Sequence, residues 1–484
     1  MNFRNVRSVM NHEFRLMLAD RRILASMAFL VGLTVFGAYS GRHVLQRQFA
    51  SIEAMKLEEM QRRDRLRGGL VTTSTGDKPT PGAPAGTQTT PAMLGGELGS
   101  TSAVLPPGPL AGLSIGQSDM LPGFFRISTN SLQASMEEDE IANPRHLLTG
   151  RLDFGFVVIA LYPLLILALS YDMLASEIEN GTFSLVMSQP IRLSELIIGK
   201  LAVRFLAIIT TAVLTSSLAV FLSHGVAAGD APWVRWLLWL SVIVLYGAFW
   251  FALAALVNLR GLASATNALV LAGTWTALVL VIPNILNVLA ATLYPIPSRV
   301  ALIQATRSAT IKANEEGSRS LAAYFEDHPE LADPGGGNAD DYIVRSLAIK
   351  AAIESQVQPL LDTFEQQADS QNRLVRRLRW LSPALAAQEA METLAGSGRE
   401  RHNEFVRQVK TFHGQWQSYF RPLIARKAPL GIDQFDAIPR FRFREEFLST
   451  TVLMLIGPFT TIFVQGSLVA LSAARLTSRF RTGD

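Results

Sequence analysis

The sequence predicts an all-α membrane protein that crosses the bilayer six times and carries a helical domain outside it. Of its 484 residues, 49% are hydrophobic and only 17% are charged, and the mean hydropathy is +0.24. This composition is typical of a multispan membrane protein with sizeable polar segments. Six apolar runs each approach the roughly 20 residues that cross a bilayer as a helix. The polar segments also place apolar residues at helical spacing, as at Ile343, Leu347, Ile349 and Ile353.

The N-terminal segment, 1–22, is basic and predicts an amphipathic helix on the inner membrane surface. Its apolar residues recur at helical spacing, at Phe3, Val6, Met10, Phe14 and Met17. The first apolar run, 23–40, follows Arg21 and Arg22, and we interpret it as a retained first span. A cleaved signal peptide is the alternative, but no small-residue cleavage site follows and a charged helical segment, 43–67, continues instead.

Five further apolar runs follow, separated in part by two long polar segments. The remaining spans are predicted at 153–172, 201–222, 234–259, 262–283 and 448–474, with a short basic tail at 475–484. The positive-inside rule then places both termini in the cytoplasm and the two long segments, 41–152 and 284–447, outside. Within the first of these, 68–117 is rich in Gly, Pro, Ser and Thr and is predicted to be disordered. The second predicts a helical domain with its own small core. Arg204 lies near enough to the end of the third span for its guanidinium to reach the interface.

The segment 173–200, between the second and third spans, is neither apolar nor of low complexity. Its distinctive residues are, in order, Glu177, Glu179, Gly181, Thr182, Phe183, Ser188, Pro190, Arg192, Gly199 and Lys200. Gly181 can take the positive φ that ends one helix, and the Thr182 hydroxyl can cap the next. Pro190 prevents continuation, so the spacing predicts a helical stub of about two turns. The two carboxylates can pair with basic groups on a partner or on neighbouring inner loops.

This order of residues resembles the coupling segment of ABC exporter permeases of the second type (ABC-2). The order in that family is E-x-E-x-G-T, an apolar stub, S-x-P, a basic residue and then G-K. The resemblance implies that the ten residues above contact a separate cytoplasmic ABC ATPase. The stretch before the last span, including 381–412, is similar to a subgroup with a large helical external domain, relatives of the permeases of gliding motility and nitrous-oxide reductase maturation. The alternative is an ordinary cytoplasmic loop.

The resemblance also implies a location and partners. The chain would lie in the bacterial plasma (inner) membrane, in contact with lipid. It would need a second permease copy or a paralogue, because six spans are too few for one chain to form the pathway. ATP and Mg would bind the partner ATPase, and no cofactor is expected in this chain, which contains no G-x-x-x-x-G-K-[ST] loop.

Four polar residues in or beside the fifth and sixth spans could line a pathway: Asn267, Asn284, Asn287 and Gln465. Helix capping and interhelical hydrogen bonding are the ordinary uses of such residues.

The absence of cysteine excludes thiolate metal sites and thiol nucleophiles. The histidines form no ligand-spaced pair, so no metal site is expected, and a net charge of +4 does not indicate nucleic-acid binding.

Two classes of function remain. The first is the permease subunit of an ATP-driven exporter of an unidentified substrate. The second is a membrane protein that uses the same ATPase to act mechanically on an external partner through its long external segments. A secondary transporter without an ATPase is less favoured, because few charges lie within the spans and no inverted repeat is evident.

Overall fold

The computed structural model describes residues 3–75, 90–116, 118, 121–129, 153–222, 232–315, 340–425 and 430–479. These residues are almost entirely helical and include one two-stranded antiparallel sheet. Six of the described helices are long and apolar enough to cross a membrane. The predicted fold class, an all-α multispan membrane protein, is therefore confirmed.

The secondary-structure elements are as follows. The helices before the third span are α1 (Phe3–Ala19), α2 (Arg21–Thr75), α3 (Pro91–Gly95), α4 (Phe154–Phe156), α5 (Tyr162–Ser170), α6 (Ala175–Glu179) and α7 (Phe183–Met187). The later helices are α8 (Leu193–Leu222), α9 (Pro232–Asn258), α10 (Ser264–Trp275), α11 (Ile282–Leu293), α12 (Arg299–Glu315), α13 (Asp340–Leu378), α14 (Pro383–Ala395), α15 (Arg399–Ala425), α16 (Ile432–Asp436) and α17 (Leu448–Arg479). The π-helical turns Val157–Leu161 and Thr276–Val281 join α4 to α5 and α10 to α11, and the 3₁₀ turn Arg379–Leu381 follows α13. The strands β1 (Thr101–Val104) and β2 (Phe124–Ile127) pair with Thr101 opposite Ile127.

The six spans are the first part of α2, then α4–α5, α8, α9, α10–α11 and α17. They share one apolar core, in which α9 contributes the fully buried Trp239, Tyr246 and Trp250. One end of the bundle carries α1, α6, α7 and the end of α17, and we call it the terminal end. The opposite end carries the two long polar segments, and we call it the insert end.

The helix of the first span runs without a break into the predicted charged segment 43–67. The helix α2 continues for 55 residues, about 80 Å, so that span and stalk form one rod. Its distal part holds the insert: Arg62 donates a hydrogen bond to the Ser100 carbonyl at 2.6 Å, and Arg67 pairs with Asp436 at 2.8 Å. The rod therefore ties the first span directly to the domain at the insert end.

The two long segments build a single domain at the insert end. Its core combines Leu94, Ala103, Phe125 and Ile127 of the first segment with Phe405, Trp416 and Phe420 of the second, among others. The prediction that 68–117 is disordered is wrong for the described residues 90–116, which form α3 and β1 and bury side chains in this core. Residues 76–89 lie outside the described part.

The helix α14 corrects the prediction that 284–447 is wholly external. Ser382 caps its first turn by accepting a hydrogen bond from the Leu385 amide at 3.4 Å, and Pro383 occupies its first position. Its buried alanines belong to the same core as the spans: Ala384, Ala386, Ala387, Ala390 and Ala395. These small side chains let α14 pack closely against α9 and α17. Residues 371–395 comprise the end of α13, the 3₁₀ turn and α14, and we call them the inserted hairpin.

The inserted hairpin reaches the middle of the fifth span. Gln371 donates to the Tyr294 carbonyl at 2.7 Å, at the end of α11, whereas the Ser382 hydroxyl donates to the Leu278 carbonyl at 2.6 Å. Leu278 lies in a π-helical turn, where a carbonyl normally accepts from the amide five residues on. That residue is Pro283, which has no N–H. The hairpin thus satisfies a carbonyl that the span's own backbone leaves unpaired. The fifth span itself continues through Pro283 to Leu293, beyond the predicted end.

Candidate functional site

The segment 173–200 folds as a short stub at the terminal end, as its spacing predicts. Gly181 has a φ of +72°, which confirms that it supplies the positive φ between α6 and α7. The expectation for Thr182 is wrong: its hydroxyl does not cap α7 but donates back to the Glu177 carbonyl at 3.2 Å. The stub α7 is five residues long and ends at Met187, and the exposed hydroxyl of the next residue, Ser188, donates to the Leu185 carbonyl at 2.7 Å.

The stub has an inner face and a free tip. Phe183, Val186 and Met187 pack on an apolar cluster at the terminal end. That cluster consists of Val9, Met173, Leu174, Leu193, Leu196, Ile197, Ala255, Leu259 and Ala473. Leu185, by contrast, points outward with 70% of its surface exposed. A large apolar side chain is thus held out on a braced stub, away from the protein.

Glu177 is engaged within the chain. Its Oε1 accepts from the Lys200 Nζ at 2.6 Å, and the same ammonium donates to the Met173 carbonyl at 3.0 Å. Both side chains are largely buried. The other carboxylate oxygen of Glu177 has no hydrogen-bond partner among the described residues. The pair fastens the start of the stub to the third span, so Glu177 does not stand free for a partner.

Glu179 caps the fifth span. Its two carboxylate oxygens accept from the Ser264 amide at 2.7 Å and from the Ser264 hydroxyl at 2.9 Å. Ser264 is the first residue of α10, so the carboxylate also lies at the positive end of a helix dipole. Through this contact the stub is linked to the fifth span.

The end of the stub is linked to α1. The Asn5 side-chain amide donates to the Pro190 carbonyl at 3.0 Å and to the Glu195 carboxylate at 2.9 Å. The same Glu195 oxygen accepts from the Arg192 backbone amide at 3.3 Å, at the start of α8, while Arg192 itself is exposed. One buried carboxylate therefore joins the chain after Pro190 to the N-terminal helix.

Gly199 allows α1 to pack closely on α8. A Cβ at this position would lie 2.7 Å from a methyl carbon of Val9, which is closer than real contacts allow. One face of α1 is accordingly buried against the protein, with Val6, Val9 and Met17 inside. Phe3 and Phe14 remain exposed, and the membrane-surface placement of α1 stays a prediction.

Arg204 is a correction to the sequence analysis. Its guanidinium does not reach towards an interface but is buried against Glu13 of α1, with the Nε to Oε1 distance at 3.1 Å. It also donates to the Leu169 carbonyl of the second span. The pair therefore fastens α1 to two spans.

Sequence reasoning missed Asn258, the last residue of the fourth span. Its side-chain amide donates to the Ser170 carbonyl at 2.8 Å, and its Oδ1 accepts from the Leu174 amide at 3.2 Å. It thereby fixes the turn that leads from the second span into the stub. The sequence signal for such a residue is a single amide side chain at the end of an otherwise apolar helix, and the structure shows that this amide is buried and hydrogen-bonded.

The four candidate pathway residues do not come together. Asn267 is buried and donates to the Tyr171 carbonyl at 3.2 Å, and Gln465 donates to the Trp380 carbonyl of the inserted hairpin. Asn284 is exposed and bonds to the Leu280 carbonyl within its own helix, and Asn287 is exposed nearby. Asn267 and Asn284 are about 25 Å apart along the fifth span. Asn267 and Gln465 thus serve as interhelical contacts.

Among the described residues, no three His, Asp or Glu side chains are grouped so that they could hold a metal ion.

Comparison with known families adds one finding. Residues 299–444 match the model of a domain of unknown function (DUF3526). The match covers less than half of the chain and spans α12 to α16, including the inserted hairpin, but not the stub. No curated protein matches the chain.

Proposed function

We propose that this chain is the membrane-spanning permease subunit of an ATP-driven exporter of the ABC-2 type. The terminal end faces the cytoplasm of a bacterial cell, and a separate ATPase subunit, which binds ATP and Mg, docks on the stub. The observation that carries this proposal is the exposed Leu185 at the tip of a stub that is braced on three sides. Burial of this leucine in an apolar cleft on a partner would remove its side chain from water and so favour docking.

The braces give the stub a route by which force reaches the spans. Glu177 holds Lys200 on the third span, Glu179 holds Ser264 on the fifth, and Pro190 is bonded to Asn5 of α1. A displacement of the stub by closure of the ATPase would therefore move several helices together. A second permease chain completes the pathway, and the exposed apolar faces of the fifth and sixth spans are available for it or for lipid.

Replacement of Leu185 by Asp tests the docking role. The side chain is exposed, so we expect the stability of the permease to change by no more than about 0.5 kcal/mol. Co-purification of the proposed ATPase partner, and the stimulation of its ATP hydrolysis by the permease, should be lost. Leu57→Asp is a matched control, because Leu57 is a similarly exposed leucine at the insert end. Normal ATPase binding and activity in L185D would rule out the stub as the docking element.

The two carboxylates are assigned a bracing role within this function. We expect Glu177→Gln and Glu179→Gln to leave binding of the ATPase nearly intact but to lower transport-linked hydrolysis, because the stub is then less firmly joined to the spans. A direct contact with the ATPase would instead weaken binding. A titration of ATPase against each variant separates these two roles.

A mechanical role is the second candidate. The observation that favours it is the continuous connection from the spans into the insert domain, through the α2 rod and the inserted hairpin. Motion at the terminal end could pass along these elements to an external partner. Substrate uptake into inverted vesicles that contain permease and ATPase distinguishes the two: ATP-dependent uptake supports export, whereas hydrolysis without uptake of any candidate supports mechanical action.

A further inference from the structure

The inserted hairpin carries four arginines beside the sixth span. Arg373, Arg376, Arg377 and Arg379 line an open cleft of about 490 Å³. The rest of its lining is Trp380 from the hairpin and Gly457, Thr460 and Thr461 from α17. Four guanidinium groups within seven residues, three at the end of α13 and one in the 3₁₀ turn that follows, concentrate positive charge at this place on the bundle surface.

Only half of this charge is neutralised within the described part of the chain. Arg379 pairs with Glu389 at 2.8 Å, and Arg376 pairs with Glu400 at 2.9 Å and with Glu389 at 3.4 Å. Arg373 and Arg377 are exposed, and no described carboxylate lies within ion-pair distance of either. The Arg373 guanidinium donates only to the Ser370 hydroxyl. The cleft therefore keeps two positive charges for an external anion.

The cleft opens onto an exposed apolar surface of the sixth span. On α17, the large apolar side chains Leu453, Ile456, Phe463 and Val464 are exposed on either side of it along the helix. In a multispan protein such a surface is covered by acyl chains. Trp380 is also mostly exposed at the cleft, and its ring offers a further apolar contact for an acyl chain. An arginine beside this apolar surface is costly without an anionic partner, and its long side chain can reach the phosphate of a lipid whose acyl chains cover that surface.

We propose that this arginine cleft binds the phosphate of an anionic glycerophospholipid from the leaflet around the insert end. The planar guanidinium groups of Arg373 and Arg377 donate paired hydrogen bonds to the phosphate oxygens, a geometry that lysine does not provide. The acyl chains lie along the exposed apolar face of α17. This binding does not depend on the ATPase and goes beyond the proposed function.

Native mass spectrometry of the intact chain in detergent tests the proposal, with phosphatidylglycerol, phosphatidylcholine of the same acyl chains, and inorganic phosphate as probes. We expect phosphatidylglycerol to bind more tightly than phosphatidylcholine. Because each basic residue near a membrane surface contributes roughly a factor of five to the attraction of an anionic lipid, the double variant R373Q/R377Q should bind it about twentyfold more weakly. R442Q/R444Q is the matched control, since both residues are exposed in the same domain but do not line the cleft.

Three further results decide the proposal. R373K/R377K keeps the charge but loses the paired hydrogen bonds, so it should bind less tightly than the native protein and more tightly than R373Q/R377Q, and equal loss in the Lys and Gln variants would show that charge is not the cause. Displacement of phosphatidylglycerol by millimolar inorganic phosphate would assign the site to a free anion and overturn the lipid. Unchanged lipid binding in R373Q/R377Q, with a shift in oligomeric mass, would assign the arginines to a contact between protein chains.

Discussion

Two short helices are attached to the long membrane-spanning helices in different ways. One is the stub at the terminal end, and the other is α14 of the inserted hairpin. The stub lies outside the bundle, and its braces come from charged side chains: Glu177, Glu179 and Glu195. The α14 arm of the hairpin lies inside the bundle, where alanines pack and single hydrogen bonds satisfy backbone carbonyls. The difference teaches that carboxylates attach a helix at the end of the bundle, whereas small side chains attach one among the spans.

The pair of Glu13 and Arg204 at the terminal end is buried more deeply than the pair of Glu177 and Lys200. We expect the largest effect of any single change from Glu13→Ala, which leaves the Arg204 charge buried and unpaired. The expected loss of stability is about 3–5 kcal/mol, measured by thermal or denaturant unfolding in detergent.

A double variant separates the charge from the packing. In Glu13→Leu with Arg204→Met, no charge remains buried, and stability should return to within about 1 kcal/mol of the native protein or exceed it. If Glu13→Ala were as stable as the native protein, water would reach Arg204 and the bracing of α1 by this pair would be wrong.

The contrast between the two ends also explains which features can be predicted from the sequence and which cannot. The stub depends on neighbours in the chain: Gly181 ends one helix and Pro190 limits the next, so local rules suffice. Its braces are harder to predict, since Glu177 finds Lys200 23 residues on and Glu179 finds Ser264 85 residues on. A carboxylate in a loop carries no local signal of which cation or amide it will meet.

The inserted hairpin also has local sequence signals, but these do not indicate that it is buried among the spans. Ser382 and Pro383 mark a helix start in the sequence, and the alanine-rich stretch after them reads equally well as a helix of a soluble domain. Its mean hydropathy is too low, and its length of 13 residues too short, for a span. Burial among the spans follows from their shape, which a one-dimensional pattern does not contain. The shared core of the two long segments escapes prediction for the same reason, because it joins Phe125 to Phe405.

Ser382→Ala tests the attachment of the hairpin and ranks second in expected effect. It removes the donor for the Leu278 carbonyl and the cap of α14 together, so we expect a loss of about 2–3 kcal/mol in unfolding free energy. Ser472→Ala is the control: its exposed hydroxyl bonds only to a carbonyl of its own helix, and the change should cost no more than about 0.5 kcal/mol.

The missing amide of Pro283 provides a sharper version of this test. In a Pro283→Ala background, residue 283 has an N–H that can bond to the Leu278 carbonyl, so Ser382→Ala should cost less than it does alone. A double-mutant cycle measures the difference directly. Equal costs in both backgrounds would mean that the hairpin is not held by the carbonyl that the proline leaves unpaired.

The smallest expected effect appears only on acidification, and it arises at the insert end. His402 lies one turn into α15, beside the ring of Phe405. Burial, with a further contribution from the nearby Arg399 charge, lowers the pKa of His402 to about 4. The unfolded chain has a histidine pKa of about 6.5. The folded protein therefore keeps the imidazole neutral where the unfolded chain takes up a proton, and stability falls as the pH drops from about 6.5 towards about 4.

His402→Phe isolates this contribution. The phenyl ring keeps the packing against Phe405 but does not titrate, so the difference in unfolding temperature between native protein and variant should shift in favour of the variant between pH 7.5 and pH 5. Carboxylates present in both proteins cancel in that difference. The carboxylate of Asp436 also does not change its charge between pH 7.5 and pH 5, because its hydrogen bond with Arg67 holds its pKa below the ordinary value of 3.8. A difference that stays constant over this range would show that water and protons reach His402 in the folded state, and that the insert domain is more open around α15 than its packing indicates.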